Sequence, residues 1–338
     1  MTERRLKELF DRYGSLRIVL IGDLFLDRWY EVDPLLDEPS LETGKTAHQV
    51  VKKRSAPGAG GTVLNNLSAM GIGSVKVITL IGKDGDGWEL LNCLKERGIN
   101  TDDVIESPMR VTPSYIKPLF PEEGERLDIK NFTPTPEELE DRLIDSLGKA
   151  AGEADAVILL DQVCEENCGV LTERVRNAAK KIAGQHPDRL FFADSRAFID
   201  RFQGVVIKCN NYEAAQLLGR QSREEERFSA EQVFRDLTEL EQKTGNSAII
   251  TCNRHGIAVC SEAGIRLIPA VLQDGPIDIC GAGDAATAGF CTAVCAGAAM
   301  EEAAEIACLA SGVTVRKLGT TGTASQEEML ALFRERKE

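Results

Sequence analysis

Seven residues near the C-terminal end, Asp278-Ile279-Cys280-Gly281-Ala282-Gly283-Asp284, run directly into the small-residue stretch Ala285-Ala286-Thr287-Ala288-Gly289-Phe290. The pattern predicts a glycine turn that opens a helix. The first N–H groups of a helix have no intrahelical acceptor and the helix dipole is positive there, so the turn formed by Gly281, Ala282 and Gly283 can cradle an anion. Asp284, in the first turn, stands where a carboxylate can take a proton from a hydroxyl that attacks a bound phosphate. Anion hole and general base in one turn are what phosphoryl transfer to an alcohol requires. Two other readings compete for the same residues. Gly281, Gly283 and Ala286 also satisfy a G-x-G-x-x-[G/A] dinucleotide pattern, although no clear βαβ unit with an acidic residue about twenty positions on accompanies them. A glycine turn can also do no more than pack a helix against a sheet, with Asp284 as a capping or solvated residue.

Further groups able to do chemistry lie upstream. Gly22-Asp23-Leu24-Phe25-Leu26-Asp27 places two carboxylates just past an apolar run, where each could accept hydrogen bonds from hydroxyls or serve a turn. Asn210-Asn211-Tyr212-Glu213 puts an amide and a carboxylate three residues apart at a predicted helix start. That spacing suits Mg²⁺ held through water by Asn210 and Glu213, and equally an N-cap with an acidic third residue. Ten scattered cysteines without a C-x-x-C pair, and three histidines, read as reduced core thiols and solvated rings rather than a metal centre.

The elements that must position these groups follow from hydrophobic periodicity. Apolar runs at 17–22, 75–81, 156–160, 190–193, 205–208 and 248–251 predict strands, and amphipathic stretches at 86–97, 136–151, 169–183, 212–218, 230–244, 284–296 and 301–315 predict helices. This alternation predicts an α/β fold with a doubly wound, mainly parallel sheet, which binds ligands beyond the carboxyl ends of its strands. Segments 29–54 and 110–131 break the rhythm and are read together as a small β lid on a single domain spanning 1–338. The net charge of −14 disfavours nucleic acid and anionic membrane as partners. Residues 1–10 read as a charged amphipathic helix rather than a signal peptide, and no apolar run is long enough to span a bilayer. A cytoplasmic location is expected.

Taken in chain order, these motifs resemble the ribokinase, or PfkB-type, sugar kinase family over nearly the whole chain. The resemblance includes Pro57-Gly58-Ala59-Gly60-Gly61-Thr62 leading to Asn65 and Asn66, Ala193-Asp194-Ser195-Arg196, Thr251-Cys252-Asn253-Arg254-His255-Gly256, and the tail from Ala310 to Gly322. It implies ATP and Mg²⁺ as cofactors, a small-molecule sugar or sugar phosphate as acceptor, and Asp284 as base. Asp27 first and Asp23 second, with Gly60, Gly61, Thr62 and Asn66, would face the sugar. Asp194, Arg196, Asn210, Thr251, Asn253, Gly256, Cys308, Ser311 and Gly312 would serve the nucleotide. The family's usual amide aligns with Thr62, which caps a helix and offers one hydrogen bond but lacks the amide's paired donor and acceptor, so the sugar stays open.

Ser40-Leu41-Glu42, Thr112-Pro113-Ser114-Tyr115-Ile116-Lys117 and Arg126-Leu127-Asp128 look like the lid pieces of bacterial heptose-7-phosphate kinases. That branch implies Lys117 and Arg126 at a substrate phosphate, and a homodimer clasped through the lids. It is often fused to a nucleotidyltransferase domain, whose H-x-G-H motif this sequence lacks, so kinase activity alone is expected. A nucleoside kinase of the same family is the nearest alternative, disfavoured by an aromatic content of 5%. A non-catalytic sugar or nucleotide sensor that kept the fold, and a dinucleotide-dependent oxidoreductase, are the others.

Overall fold

A computed structural model of the chain describes every residue except 121, 221–227, 262–263, 274 and 337–338. Of the segment 110–131, only Pro121 lies outside the described residues. The first half runs α1 (Glu3–Phe10), β1 (Arg17–Gly22), β2 (Leu24–Val32), β3 (Glu38–Pro39), β4 (Thr46–Ala47), β5 (Val50–Ala59), α2 (Gly60–Ala69), β6 (Ser74–Gly82), α3 (Gly85–Lys95), β7 (Asn100–Ser107), β8 (Ser114–Phe120), β9 (Glu122–Glu123), β10 (Leu127–Ile129) and α4 (Glu137–Ala151). The second half runs β11 (Ala156–Asp161), α5 (Glu173–Gln185), β12 (Leu190–Ser195), β13 (Val206–Asn210), α6 (Asn211–Leu217), α7 (Ala230–Thr244), β14 (Ala248–Thr251), β15 (Ile257–Ser261), β16 (Gly264–Ile268), α8 (Ala282–Cys295), α9 (Met300–Thr314) and α10 (Gln326–Glu335).

Nine strands form the central sheet in the order β16-β15-β14-β13-β12-β11-β1-β6-β7. From β7 to β14 every pairing is parallel, and β15 and β16 close one edge antiparallel. The α/β, doubly wound, mainly parallel architecture expected from the alternation is therefore the one observed. Alternate residues of the central strands feed opposite cores. Ile18, Leu20, Ile158 and Leu160 join α1, α2, α8, α9 and α10 on one face. Val19, Ile21, Val157 and Leu159 join α4, α5 and α7 on the other. Burial on both faces explains why the strand sequences are nearly continuous apolar runs.

Three strands had no counterpart in the sequence reading. β7 (NTDDVIES) is a charged edge strand without an apolar run, a composition that protects an open edge. β15 and β16 form a short hairpin at the opposite edge, each too brief to show a period. No helix among the described residues is long and apolar enough to cross a membrane.

The chain winds outward from β1 through β6 to β7, then returns to β11 and winds the other way, so the sheet reverses between β1 and β11. Ligands bind beyond the carboxyl ends of strands at such a reversal. Here the two strands approach so closely that a Cβ on Gly22 would stand 2.1 Å from the Leu160 carbonyl oxygen. From the same end β2 departs into a second sheet, ordered β10-β8-β2-β5 with β9 paired to β8. This small sheet is built from parts of the two irregular segments, but begins earlier, at Leu24, and ends later, at Ala59.

Asp23, at the junction between the sheets, has a different task from the sugar contact expected of it. Its carboxylate accepts backbone N–H groups from Gln162 at 2.8 Å, Val163 at 3.0 Å and Val170 at 2.7 Å, tying the loop after β11 to the end of β1. Asp23→Ala would orphan three buried donors, each costing about 1–3 kcal/mol. A loss of about 3 kcal/mol or more in urea unfolding is expected. An unchanged unfolding midpoint with weakened acceptor binding would return Asp23 to the acceptor site.

Candidate active site

The glycine turn takes the form that the sequence suggested. Gly281 caps α8 in the left-handed region, with φ 79°, and no side chain caps the helix. A Cβ there would be strained in φ and would meet the Thr62 methyl at 3.1 Å. Among the described residues, the N–H groups of Gly281, Gly283 and Asp284 have no protein acceptor, whereas Ala282 donates to the Ile279 carbonyl at 3.1 Å. Ala282 therefore drops out of the expected anion hole as a donor. Two ties fix the turn. Asp278 accepts from the N–H of Cys280 and of Gly319, both at 3.0 Å, and the Ser311 hydroxyl donates to the Ala282 carbonyl at 2.9 Å. Ser311, expected beside the nucleotide, thus holds α9 to the start of α8.

Asp284 is half-buried at the head of α8. Desolvation is the main cause that pushes its carboxyl up to about 7, with Asp194 adding to the shift and Lys208 and Arg196 opposing it. Asp194 is itself engaged. Its Oδ2 accepts from Lys208 Nζ at 2.5 Å and from the Thr287 hydroxyl at 3.1 Å, so the carboxylate holds a lysine rather than standing free. Lys208 is buried, and its ammonium lies 3.8 Å from where a Cβ on Gly283 would be. A cation thus faces the anion hole from the floor of the sheet, and exposed Arg196 adds a second. The sequence reading missed Lys208, whose signal was a lone charged side chain in the apolar strand VIKCN.

Asp27 approaches from the small sheet. It is 7% exposed, its carboxylate has no hydrogen-bond partner among the described residues, and it lies so close to Gly58 that a Cβ there would meet Oδ2 at 2.6 Å. Burial raises its pKa, and Lys117 and Arg126 counter the rise. Strand register puts Asp27 opposite Ala56 and Tyr115, and Trp29 opposite Arg54 and Lys117. Lys117 Nζ and the Arg54 guanidinium both lie over the Trp29 ring, at 5.0 and 5.3 Å.

Two acceptor-side expectations are corrected here. Arg126 forms a two-pronged ion pair with Asp128, at 2.6 and 2.9 Å, so its fork is filled. Asn66 is fully buried, donates to the Thr62 carbonyl at 3.0 Å and accepts from Ala324 N–H at 3.1 Å, which makes it a brace between α2 and the C-terminal loop. Thr62, 2% exposed, stays at the site through its contact with Gly281, and Gly60 and Gly61 form the buried first turn of α2 above it.

On the nucleotide side, Asn210 and Glu213 form a capping box. The Asn210 side chain accepts from Tyr212 and Glu213 N–H, and Glu213 Oε2 accepts from Asn210 N–H at 2.7 Å. This is the helix-start alternative to metal binding, yet it leaves Glu213 Oε1 untied and close enough to Lys208 and Asp194 to feel their charge. Among the described residues no group of three or more His, Cys, Asp or Glu side chains could hold a metal directly. Thr251 donates weakly to the Cys209 carbonyl at 3.4 Å, and Asn253 adopts φ 48° in the turn that ends at Gly256. At Gly256 a Cβ would overlap the Ile268 carbonyl oxygen. Cys308 is buried, with burial pushing its thiol up to about 12, which makes it a core residue. Gly312 keeps α9 close to Val271 and Leu332.

Comparison with known proteins identifies the family. The model of the pfkB family carbohydrate kinases matches residues 15–327. The chain belongs to that family. Its fold is ribokinase-like. Among curated proteins it is similar to the bifunctional protein HldE of Hyphomonas neptunium, 28% identical over 336 residues, covering 97% of this chain and 66% of the relative. The HldE protein of Pelobacter propionicus is also 28% identical, over 97% of this chain and 65% of the relative. The chain thus spans just under two thirds of the length of these relatives. Among solved structures it resembles Escherichia coli phosphofructokinase-2 with potassium, at TM-score 0.74 and 15% identity, covering 96% of this chain and 100% of the other. Arabidopsis thaliana ribokinase with ribose and ATP gives TM-score 0.69 at 15% identity, covering 94% and 99%.

The elevated pKa of Asp284 carries a pH prediction. A base must be ionised, so turnover should climb with pH through about 7 and level off above it. Because the folded pKa lies above the unfolded value, ionisation opposes folding, and this carboxylate destabilises the protein as pH rises from about 4 to about 7. Asp284→Asn should therefore lose about 10²- to 10⁴-fold in turnover while melting higher than wild type at pH 8, by more than it does at pH 5. A variant that turns over like wild type, or a flat wild-type profile between pH 6 and 8, would remove Asp284 from the base role.

Proposed function

We propose that the chain transfers the γ-phosphoryl group of ATP to a hydroxyl of a sugar phosphate of the heptose-phosphate kind. The observation that carries this reading is Asp284, beside unpartnered N–H groups, with Lys208 and Arg196 on one side and Asp27 on the other. Asp27 accepts hydrogen bonds from the acceptor's hydroxyls and orients the one that reacts. Asp284 takes the proton from that hydroxyl as it attacks. The N–H groups of Gly281, Gly283 and Asp284 hold the phosphoryl oxygens, and Lys208 and Arg196 balance the charge that develops on them. Glu213, with Asn210, would hold Mg²⁺ through water, and the ion would supply positive charge at the phosphates.

A phosphate on the acceptor is supported by the inner face of the small sheet. Lys117 lies there over Trp29 with no ion-pair partner among the described residues, beside Arg54, which pairs with Glu31 at 3.5 Å. The resemblance of the small-sheet segments to heptose-7-phosphate kinases, and the similarity to HldE proteins, favour the same class. We read the small sheet as a lid on a single domain. Leu35 and Leu41, 93% and 103% exposed on the same segment as β3 and β4, suit pairing with the lid of a second copy. The setting is the cytoplasm, where ATP is available.

ADP release from ATP across hexoses, heptoses and their phosphates, with Asp284→Asn as the blank, tests the reading. Turnover of a sugar phosphate well above that of the free sugars is expected. Gly283→Val, whose side chain would project into the anion hole toward Lys208, should weaken both turnover and binding of a non-hydrolysable ATP analogue. Full analogue affinity in that variant would count against an anion hole here. A dimer by light scattering, lost in Leu41→Lys, is expected if the lids pair, and a monomeric wild type would discard the clasp.

A further inference from the structure

No hydrogen bond among the described residues holds the Asp27 side chain, so the backbone of β2 sets where its carboxylate stands. The next residue, Arg28, points to the other face of the small sheet. So does Ser114, which precedes Tyr115, the residue opposite Asp27 on β8. One carboxylate takes both. Asp86 lies in the first turn of α3, where a helix favours an acid. Its Oδ1 faces Arg28 Nη2 at 2.7 Å, and its Oδ2 accepts from the Ser114 hydroxyl at 2.6 Å. Neither contact lies in open solvent, since Ser114 is fully buried and the side chains of Arg28 and Asp86 are 18% and 21% exposed.

The anchor for this grip is the central sheet, because α3 follows β6 through the turn at Lys83 and Asp84. Asp84 caps α3 by accepting from Gly87 N–H at 2.8 Å, and it also accepts from the Thr112 N–H at 2.9 Å and the Thr112 hydroxyl at 2.7 Å. Glycines allow this approach. A Cβ on Gly82 would stand 2.6 Å from the Thr112 nitrogen, and one on Gly87 would stand 2.9 Å from the Thr112 hydroxyl. Thr112 leads through Pro113, whose carbonyl accepts from Leu26 N–H at 2.8 Å, into β8. Asp84 thus fixes where β8 begins, and Asp86 fixes β8 and β2 together at the level of Asp27.

We propose that Asp86 is a positioning residue for the acceptor: by clamping β2 and β8 from the core helix α3, it sets where Asp27 holds the substrate. The inference rests on the reading of Asp27 as the group that binds the acceptor's hydroxyls. A lone ion pair near the surface contributes little, but Asp86 spans two strands, so its loss frees their placement on the core rather than a single contact. The two residues it grips are the sequence neighbour of Asp27 and the sequence neighbour of Tyr115 across the pair. Glu89 supplies the contrast. Three residues on and on the same face of α3, it also pairs with Arg28 but bonds to no residue of β8 among the described residues.

The test compares wild type, Asp86→Ala, Asp86→Asn and Glu89→Gln with the best acceptor of the sugar panel. In Asp86→Ala, kcat/KM for the acceptor should fall about 30-fold while KM for ATP changes less than about 2-fold, within the reach of a misplacement of about 1 Å. Asp86→Asn, which keeps one accepting oxygen, should recover part of the loss, and Glu89→Gln should stay within about 3-fold of wild type. Acceptor and ATP parameters that fall in step in Asp86→Ala, or an unchanged acceptor kcat/KM, would overturn the positioning role. A second measurement needs no substrate. Trp29, beside Arg28, is 8% exposed, and the other tryptophan, Trp88, is 68% exposed, so Trp88→Phe leaves Trp29 as the reporter. In that background Asp86→Ala should move the Trp29 emission to longer wavelength and Glu89→Gln should not; no shift in Asp86→Ala would overturn the clamp. If no sugar of the panel turns over, the kinase reading fails and takes the acceptor role of Asp86 with it, while the emission still decides whether Asp86 holds the small sheet.

Discussion

The proposed mechanism depends on one electrostatic constraint: Asp284 has to stay a usable base while it sits beside a second carboxylate, Asp194, in a desolvated cleft. Two carboxylates in such a place would normally share a proton. Lys208 prevents this by pairing with Asp194 at 2.5 Å, and the Thr287 hydroxyl, one helical turn after Asp284, completes the shell. The carboxyl of Asp284 is then raised only to about 7, high enough to accept a proton readily and low enough to be ionised in neutral solution. The same lysine faces the anion hole. One buried cation therefore tunes the base and prepares the charge balance for the phosphoryl group, which explains why a strand otherwise built of apolar residues carries it.

The rest of the fold holds these few atoms in place through backbone ties. Asp278 fastens the turn before α8 to Gly319, Ser311 fastens the first residue of α8 to α9, and Asn66 fastens α2 to the loop before α10. Each uses a polar side chain on a backbone group, and at Ala324 that group would otherwise be buried unmet. The small residues of α8 have a related purpose. A Cβ on Gly289 would stand 3.2 Å from that of Ala310, so the helix that carries the base lies almost in backbone contact with α9. Such close packing stiffens the helix start that carries Asp284, and a misplacement of about 1 Å is costly to a group that acts by position.

How much of this could be read in the residue types differs from element to element. β11 and β1, buried on both faces, announce themselves as apolar runs, and α8 by its glycine turn. β7 does not, because an edge strand protected by charge looks like a loop. Among the site residues the difficulty lies in direction rather than identity. Asp23 and Asp27 both follow an apolar run and both are carboxylates. Only the change of sheet at Leu24 decides that one turns inward to three N–H groups and the other faces the cleft. Asn66 looked like a sugar ligand for the same reason. The ion pair of Arg126 was more legible, since its partner Asp128 lies only two residues on.

The inner face of the lid then has a direction of its own. From tip to junction it passes from Lys117 and the Glu31-paired Arg54 over Trp29 to the carboxylate of Asp27, which has no partner among the described residues. A uniform sugar would gain little from so graded a surface. A molecule with an anionic end beside its hydroxyls would match it in one orientation only, because reversal would set its phosphate against the carboxylate of Asp27. Orientation matters more than affinity to a kinase of this kind. In the proposed reaction only the hydroxyl presented to Asp284 reacts, and a surface that penalises the wrong orientation chooses that hydroxyl without touching it.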